Sequence, residues 1–324
     1  MHAIIQREFG APDRVLTLGE AVRPVAGADE VLVRVRASSA NPWDWHYIRG
    51  EPLFMRPAGL GIRKPKFSIP GGDVAGTVEE VGSDVQAFKP GDEVIGFGHG
   101  AFAEYVCVRQ ARLAPKPPSL TFEQAATVPL AACTALQGLR DVGRLESGQR
   151  VLIVGASGGV GSFAVQIATA LGAEVTGVCS TGNMELVRGL GATHVIDYTS
   201  EDFTRGEVRY DLVFTLGGRA SPRALRRVLT PTGRLVQSSG DGGRWFGPIF
   251  NIIKAVALDP FVGQSMQFLD AEVDTASLAF ITGLIEAGSV TPVIDRSYPL
   301  SEAGNAVRFV ETGSPRGKVV VTMV

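Results

Sequence analysis

The chain has 324 residues, 45% of them hydrophobic and 20% charged, with a formal net charge of -2. That length exceeds one ordinary core and predicts two domains. The mixture excludes disordered and fibrous classes, and the near-neutral balance gives no electrostatic ground for a nucleic-acid partner.

The start, MHAIIQREFG, runs into a strand pattern without a long apolar segment of secretory type, so a cytoplasmic location is the expectation. Up to about residue 120 the pattern is one of short strands and turns: 31–35 (VLVRV), 74–81, 92–97 and 102–108, with Lys89-Pro90-Gly91-Asp92 as a strong turn. These predict a small, irregular, barrel-like β-domain. Inside it, residues 51–69 form a long loop rich in Pro and Gly, of the kind that sets specificity or acts as a lid. Its Arg56, Arg63, Lys64 and Lys66 either steer an anionic group or stay solvated.

The run Ala114-Pro115-Lys116-Pro117-Pro118 marks a boundary, after which residues 122–142 carry one or two helices holding Thr127 and Thr134. Residues 150–181, RVLIVGASGGVGSFAVQIATALGAEVTGVCST, then read as a βαβ unit. Phe163, Ile167 and Leu171 recur at i, i+4 and i+8 with Ala164 and Ala168 beside them, which gives the helix one face to lay on a sheet. A strand entering a helix through glycines leaves backbone N–H groups aimed at whatever lies over the helix start, and the helix dipole favours an anion there. Gly155, Ser157, Gly158, Gly159, Val160 and Gly161 are therefore candidate pyrophosphate ligands.

About twenty residues further on, where a carboxylate would bond the ribose of NAD, the second strand ends Cys179-Ser180-Thr181. Hydroxyls at Ser180 and Thr181 can receive a 2′-phosphate, so NADP is expected, although both residues also suit capping of the next helix. Arg188 and Tyr198 are the nearest candidates to help hold that phosphate. The alternation goes on with strands 194–196, 210–216 and 233–238 and a helix at 222–229, predicting a parallel, doubly wound sheet with its ligand at the carboxyl ends of the strands. Leu216, Gly217, Ser238 and Gly240 would face the cofactor.

Residues 245–262 (WFGPIFNIIKAVALDPFV) are apolar but broken by Lys254, Asp259 and two prolines. A pocket-lining or subunit-contact helix is expected there, with surface membrane attachment as the alternative and no membrane span. The tail returns to the first texture, with a strand at 293–298, a helix opened by Ser301 and a last strand at 317–323. The expected division is therefore 1–121 with 268–324, and an inserted nucleotide fold at 122–267.

Taken in order, NPWDWHYIRG (41–50), GGDVAGTVEEVGSDV (71–85), FKPGDEVIGF (88–97), AATVPLAACTALQGL (125–139), GASGGVG (155–161) and SPRGKVVV near the end resemble the medium-chain dehydrogenase/reductase superfamily. Within it, the zinc-free quinone oxidoreductase branch that includes zeta-crystallin matches best. The resemblance implies an α/β protein with a GroES-like β-rich catalytic domain and a Rossmann doubly wound parallel sheet. It further implies a homodimer that uses NADPH in the cleft between domains to reduce a quinone, enone or alkenal.

Zinc-dependent members hold their metal with a Cys, a His beside a Glu, and a further Cys or acid. This chain has Asn41 to Trp45 and Gly71-Gly72-Asp73 in those regions, and its three cysteines (Cys107, Cys133, Cys179) lie far apart. No metal is expected; Cys133 reads as a core residue, and His46 and His99 as structural histidines.

By the same resemblance Asn41 and Tyr47 are the catalytic candidates. Asn41 would donate its amide to a substrate carbonyl or to cofactor, or else merely start a turn with Pro42. Tyr47 would give a proton or hydrogen bond to a developing enolate, or else pack beside Trp43 and Trp45 while solvent supplies the proton. Thr127 is placed near the nicotinamide, Thr134 either caps its helix or approaches cofactor, and Lys318 stands either at the cleft or exposed on the last strand. Two alternatives remain open: a zinc-free NADP-dependent alcohol or aldehyde oxidoreductase, and an NADPH-binding protein with little catalytic activity.

Overall fold

The computed structural model describes residues 1–218, 220–238, 263–311, 313 and 315–323. Gly240 and the apolar stretch 245–262 lie outside the described residues.

The strands in chain order are β1 (His2–Gln6), β2 (Leu16–Glu20), β3 (Glu30–Ala40), β4 (Asp73–Val81), β5 (Glu93–Phe97), β6 (Tyr105–Arg109), β7 (Leu113–Pro115), β8 (Arg150–Val154) and β9 (Glu174–Cys179). They continue with β10 (His194–Asp197), β11 (Tyr210–Thr215), β12 (Leu229–Gln237), β13 (Ser265–Phe268), β14 (Ile294–Pro299) and β15 (Lys318–Thr322). The helices are α1 (Pro12–Val15), α2 (Pro42–Arg49), α3 (Phe122–Ala126), α4 (Pro129–Leu136), α5 (Gly159–Ala170), α6 (Met184–Gly189), α7 (Pro222–Arg227), α8 (Thr275–Glu286) and α9 (Ala303–Glu311). Strand β13 and helix α8 fall in a stretch to which the sequence patterns assigned no element.

The chain forms two compact units, one of Met1–Cys133, Val273–Glu286 and Pro292–Val324, the other of Thr134–Glu272 and Ala287–Thr291. In the first, a seven-stranded sheet runs β14-β15-β3-β4-β5-β7, with β6 paired to β3. Strand β3 carries it: Val31, Val33 and Val35 are buried while Arg34 and Arg36 are exposed, which is the alternation of a half-buried strand. It runs on to Ala40, well past the predicted residue 35, because ASSA is small and buried on both faces and so shows no alternation. This stretch is flanked by β15 and β4, with Val319 opposite Ala40 and Ala75 opposite Ala37. The starts of β15 and β4 are thereby brought to the point where β3 hands over to α2. One core cluster joins Ile4, Ile48 and Phe102 to Ala303, Val307 and Val319, and a second lies among the valines of β3, β4, β5 and β6.

The second unit has six parallel strands in the order β10-β9-β8-β11-β12-β13. The chain moves outward from β8 through β9 to β10, then returns to β11 on the other side of β8. Connections leave β8 and β11 in opposite directions, which opens the crevice where doubly wound sheets take their ligands. Phe163, Ala164, Ile167 and Ala168 of α5 are fully buried, as the apolar stripe predicts. The predicted helix through residue 229 stops two residues earlier, since Leu229 already begins β12.

Candidate active site

A buried polar cluster forms where β3, β4 and β15 meet the start of α2. Asp73 is fully buried and Lys318 is 3% exposed, with Lys318 Nζ 3.2 Å from Asp73 Oδ2. Lys318 Nζ also donates to Asn41 Oδ1. Asn41 Nδ2 donates to Asp73 Oδ2 at 2.8 Å and to Ser39 O at 3.3 Å. Ser39 Oγ donates to Asp73 Oδ2 at 2.5 Å and the Leu130 amide to Oδ1 at 2.9 Å. A buried carboxylate is tolerated only when paired and hydrogen-bonded in this way.

Two expectations change here. Lys318 is not an exposed strand lysine but the counter-ion of Asp73. Asn41 has both side-chain amide hydrogens engaged inside the cluster and accepts from Lys318. An ammonium carries three donors; two are used by Asn41 and Asp73, and the third has no acceptor among the described residues.

Asp44, also fully buried, accepts from the Asn41 amide at 2.7 Å through Oδ2, while Oδ1 has no partner. Burial above all, with Asp73 adding, pushes its carboxyl up to about 7, against the pull of the Asn41 amide and Lys318. A carboxyl raised on folding binds its proton more tightly in the native state, so stability should fall as pH rises from about 4 to about 7 and level off above. Urea unfolding across that window should show a weaker fall for Asp44→Asn than for the unaltered protein; identical pH profiles would remove Asp44 as the source.

The Tyr47 hydroxyl accepts from the Phe67 amide at 2.6 Å, which ties α2 to the 51–69 loop. Burial raises its pKa, so the phenol keeps a proton that it can donate. His46 faces Glu51 O at 3.0 Å; a carbonyl only accepts, so Nδ1 is the donor, the structural role expected of it. In the loop, Arg56 is spent on the carbonyls of Gly50 and Arg49 and on the Phe9 ring, whereas Arg63, Lys64 and Lys66 are exposed.

The residues of this cluster do not fit a catalytic metal. A Cβ placed on Gly72 would lie 2.3 Å from the Phe97 ring, so a ligand side chain there would require that ring to move. Asp73 is already neutralised by Lys318. Cys133 is buried, and no group of three or more His, Cys, Asp or Glu able to hold a metal occurs among the described residues.

The second unit supplies a cradle that does fit a dinucleotide. Gly155 turns at φ +88°, and the amides of Gly155 and Ala156 donate to Val178 O. Helix geometry leaves the amides of Gly159, Val160 and Gly161 without acceptors in α5. Gly161 is where helix meets strand: a Cβ there would lie 2.0 Å from Gly155 O. Gly158 caps α5 with ordinary extended backbone, and a Cβ on it would meet only Gly155 O at 3.4 Å, so the space ahead of the helix is open.

On the same edge, Leu216 and Gly217 sit beside Gly155, and the Ser238 amide donates to Thr215 O at 3.1 Å. Asn183 Nδ2 joins Ser157 Oγ and Ser180 Oγ at 3.1 and 3.2 Å, and its buried Oδ1 has no partner. Thr181 Oγ1 donates to Asp197 Oδ2 at 2.6 Å, while Thr199 donates its amide and hydroxyl to Oδ1. These donors, Thr181 first, hold the Asp197 carboxyl down at about 2.

Sequence reasoning missed Asp197 because it followed β9 alone. The carboxylate stands on the neighbouring strand, level with Cys179; the signal available was an acid ending the third strand of a parallel sheet. Tyr198 is 58% exposed, with its amide on Cys179 O at 3.1 Å at the end of β9, and Arg188 is paired with Glu185. Thr127 is fully buried and donates to Gln124 O at 2.6 Å, closing α3, and Thr134 is buried within α4.

Comparison with known proteins identifies the family. Residues 27–118 match the family model for the alcohol dehydrogenase GroES-like domain, and residues 190–321 that for zinc-binding dehydrogenase, although the residues present do not suit zinc. Mouse "NAD(P)H oxidoreductase RTN4IP1, mitochondrial" is 34% identical over 91% of the chain and 82% of its own length. Tomato 2-methylene-furan-3-one reductase is 32% identical over 99% and 79%. The solved quinone oxidoreductase of Coxiella burnetii superposes with a TM-score of 0.87 at 31% identity, covering 100% of this chain and 99% of that one. No helix among the described residues is long and apolar enough to cross a membrane. With relatives of this likeness along nearly its whole length, the chain belongs to the medium-chain dehydrogenase/reductase superfamily, in its zinc-free quinone oxidoreductase branch, and is an oxidoreductase.

Proposed function

We propose that the protein is an NADPH-dependent, zinc-independent reductase that delivers hydride to a quinone or an α,β-unsaturated carbonyl. The observation that carries this reading is the buried Asp73–Lys318–Asn41 cluster with one ammonium donor left over. The relatives named above, an NAD(P)H oxidoreductase, an enone reductase and a quinone oxidoreductase, support the same chemistry.

Bound NADPH would supply the hydride, and the protein supplies position and electrostatics. The free amides at the start of α5 hold the pyrophosphate, with Gly158 leaving the room and Leu216, Gly217 and Ser238 along the same edge. Ser180, with Ser157 and Asn183 behind it, receives the 2′-phosphate. Asp197 is held ionised by Thr181 and Thr199, so it is a like charge at the edge of this place that the donors around Ser180 must outweigh. Lys318 donates its spare N–H to the substrate carbonyl and stabilises the oxygen as charge gathers on it. Tyr47 then gives the proton. Thr127 and Thr134 shape the surroundings of the nicotinamide rather than bonding it through Thr127's hydroxyl.

Purified protein should oxidise NADPH in the presence of a quinone or an alkenal, read as loss of nicotinamide absorbance; no loss across both classes overturns the reading. Ser180→Asp should lower the NADPH/NADH ratio of kcat/KM at least about tenfold, because it adds a free carboxylate where the phosphate is placed. An unaltered ratio would locate phosphate selection elsewhere.

A further inference from the structure

Four rings in the first unit lie in one near-parallel set. Trp43 and Tyr47 stack at 5.4 Å and 18°, Tyr47 and Phe67 at 6.1 Å and 27°, and Phe67 and His99 at 4.5 Å and 13°. His99 closes the circuit on Trp43 at 5.5 Å and 34°. Phe97 stands across them, 77° from Trp43 and 75° from His99. The set is not sealed into the core, since Trp43 and Phe67 are half-buried and His99 is exposed.

We propose that Trp43, Tyr47, Phe67 and His99 form a stacking wall that selects planar, fused-ring quinones over open-chain alkenals, with Phe67 and His99 as specificity-determining residues. The inference rests on the reductase reading above and names its substrate class.

Trp43 is two residues from Asn41, and the Phe97 ring fills the space over Gly72, next to Asp73. The wall therefore adjoins the cluster that offers the Lys318 donor.

The faces of tryptophan and tyrosine are electron-rich, whereas a quinone ring is electron-poor, so stacking favours it over an alkyl chain. Partial desolvation, then the cations Arg112 and Lys66, lower the His99 pKa, which favours the neutral imidazole. Lys66 lies 5.4 Å from the Phe67 ring centroid, so positive charge borders the wall where a reduced, more anionic ring would sit.

The test compares 9,10-phenanthrenequinone with trans-2-hexenal as acceptors, using NADPH and the variants Phe67→Leu and His99→Leu, which keep side-chain bulk but lose the aromatic face. Each loss of a stacking partner should raise KM for the quinone about two- to tenfold with little change in kcat, and lower the quinone/alkenal ratio of kcat/KM by the same factor. An unmoved ratio in both variants overturns the wall. Equilibrium dialysis of 9,10-anthraquinone-2-sulfonate gives a readout without turnover: weaker retention by Phe67→Leu supports the wall, and equal retention overturns it. If neither acceptor is reduced, the reductase reading fails and the dialysis alone decides the wall.

Discussion

Lys318→Met should lower the unfolding free energy by about 3–5 kcal/mol, because it removes one partner of a buried ion pair and strands the other. Asp73 is fully buried, and without the ammonium its carboxylate would keep hydrogen bonds from Ser39, Asn41 and Leu130 but no compensating charge. The same variant should lose most reductase activity, about a hundredfold or more in kcat, since a donor aimed at a developing oxyanion is worth that much.

Stability and catalysis can be separated here. Lys318→Met combined with Asp73→Asn removes both charges and should regain much of the stability without regaining activity. Chemical denaturation and steady-state kinetics of the single and double variants check this. A cost below about 1 kcal/mol for the single variant would mean that the pair is solvated, as surface pairs are.

The second large effect is a contrast between neighbouring glycines. Gly158→Val should weaken NADPH binding by about a hundredfold or more, because the side chain would enter the space the pyrophosphate needs. The fold should survive: position 158 has φ -79° and ψ -179°, a conformation that valine readily adopts, and its Cβ would meet nothing nearer than 3.4 Å. Gly161→Val should instead unfold the nucleotide unit or prevent its expression, since its Cβ would be driven to 2.0 Å from Gly155 O. Calorimetric binding and thermal melts of both variants distinguish these outcomes. A Gly158→Val protein that binds NADPH normally would show that the anion lies elsewhere.

The nucleotide unit was largely legible in the sequence. Its strands pair only in parallel and its helix α5 follows a 3.6-residue period, so each element announces itself within about ten residues. Where prediction slipped, local pattern was weak: β3 ran on through ASSA, and β12 began at Leu229, four residues before the predicted start at residue 233. The first unit was less legible because its strands are short and its helix α2 is rich in aromatic residues whose partners come from β5 and the 51–69 loop.

The candidate site divides along the same line. The glycine turn is a local device, since the φ of Gly155 and the contact of Gly161 with Gly155 involve residues within one turn; seven residues sufficed to foresee an anion cradle. The Asp73–Lys318 pair joins positions 245 residues apart, and the Asn41–Lys318 contact spans 277. The parallel register that sets Asp197 level with Cys179 is likewise a property of the assembled sheet. Sequence alone thus determined that a dinucleotide cradle exists and that the usual metal ligands are missing. Which charge faces which, that both side-chain amide hydrogens of Asn41 are engaged within the cluster, and that the Phe97 ring stands over Gly72 were decided by strand order and register, which no local periodicity encodes.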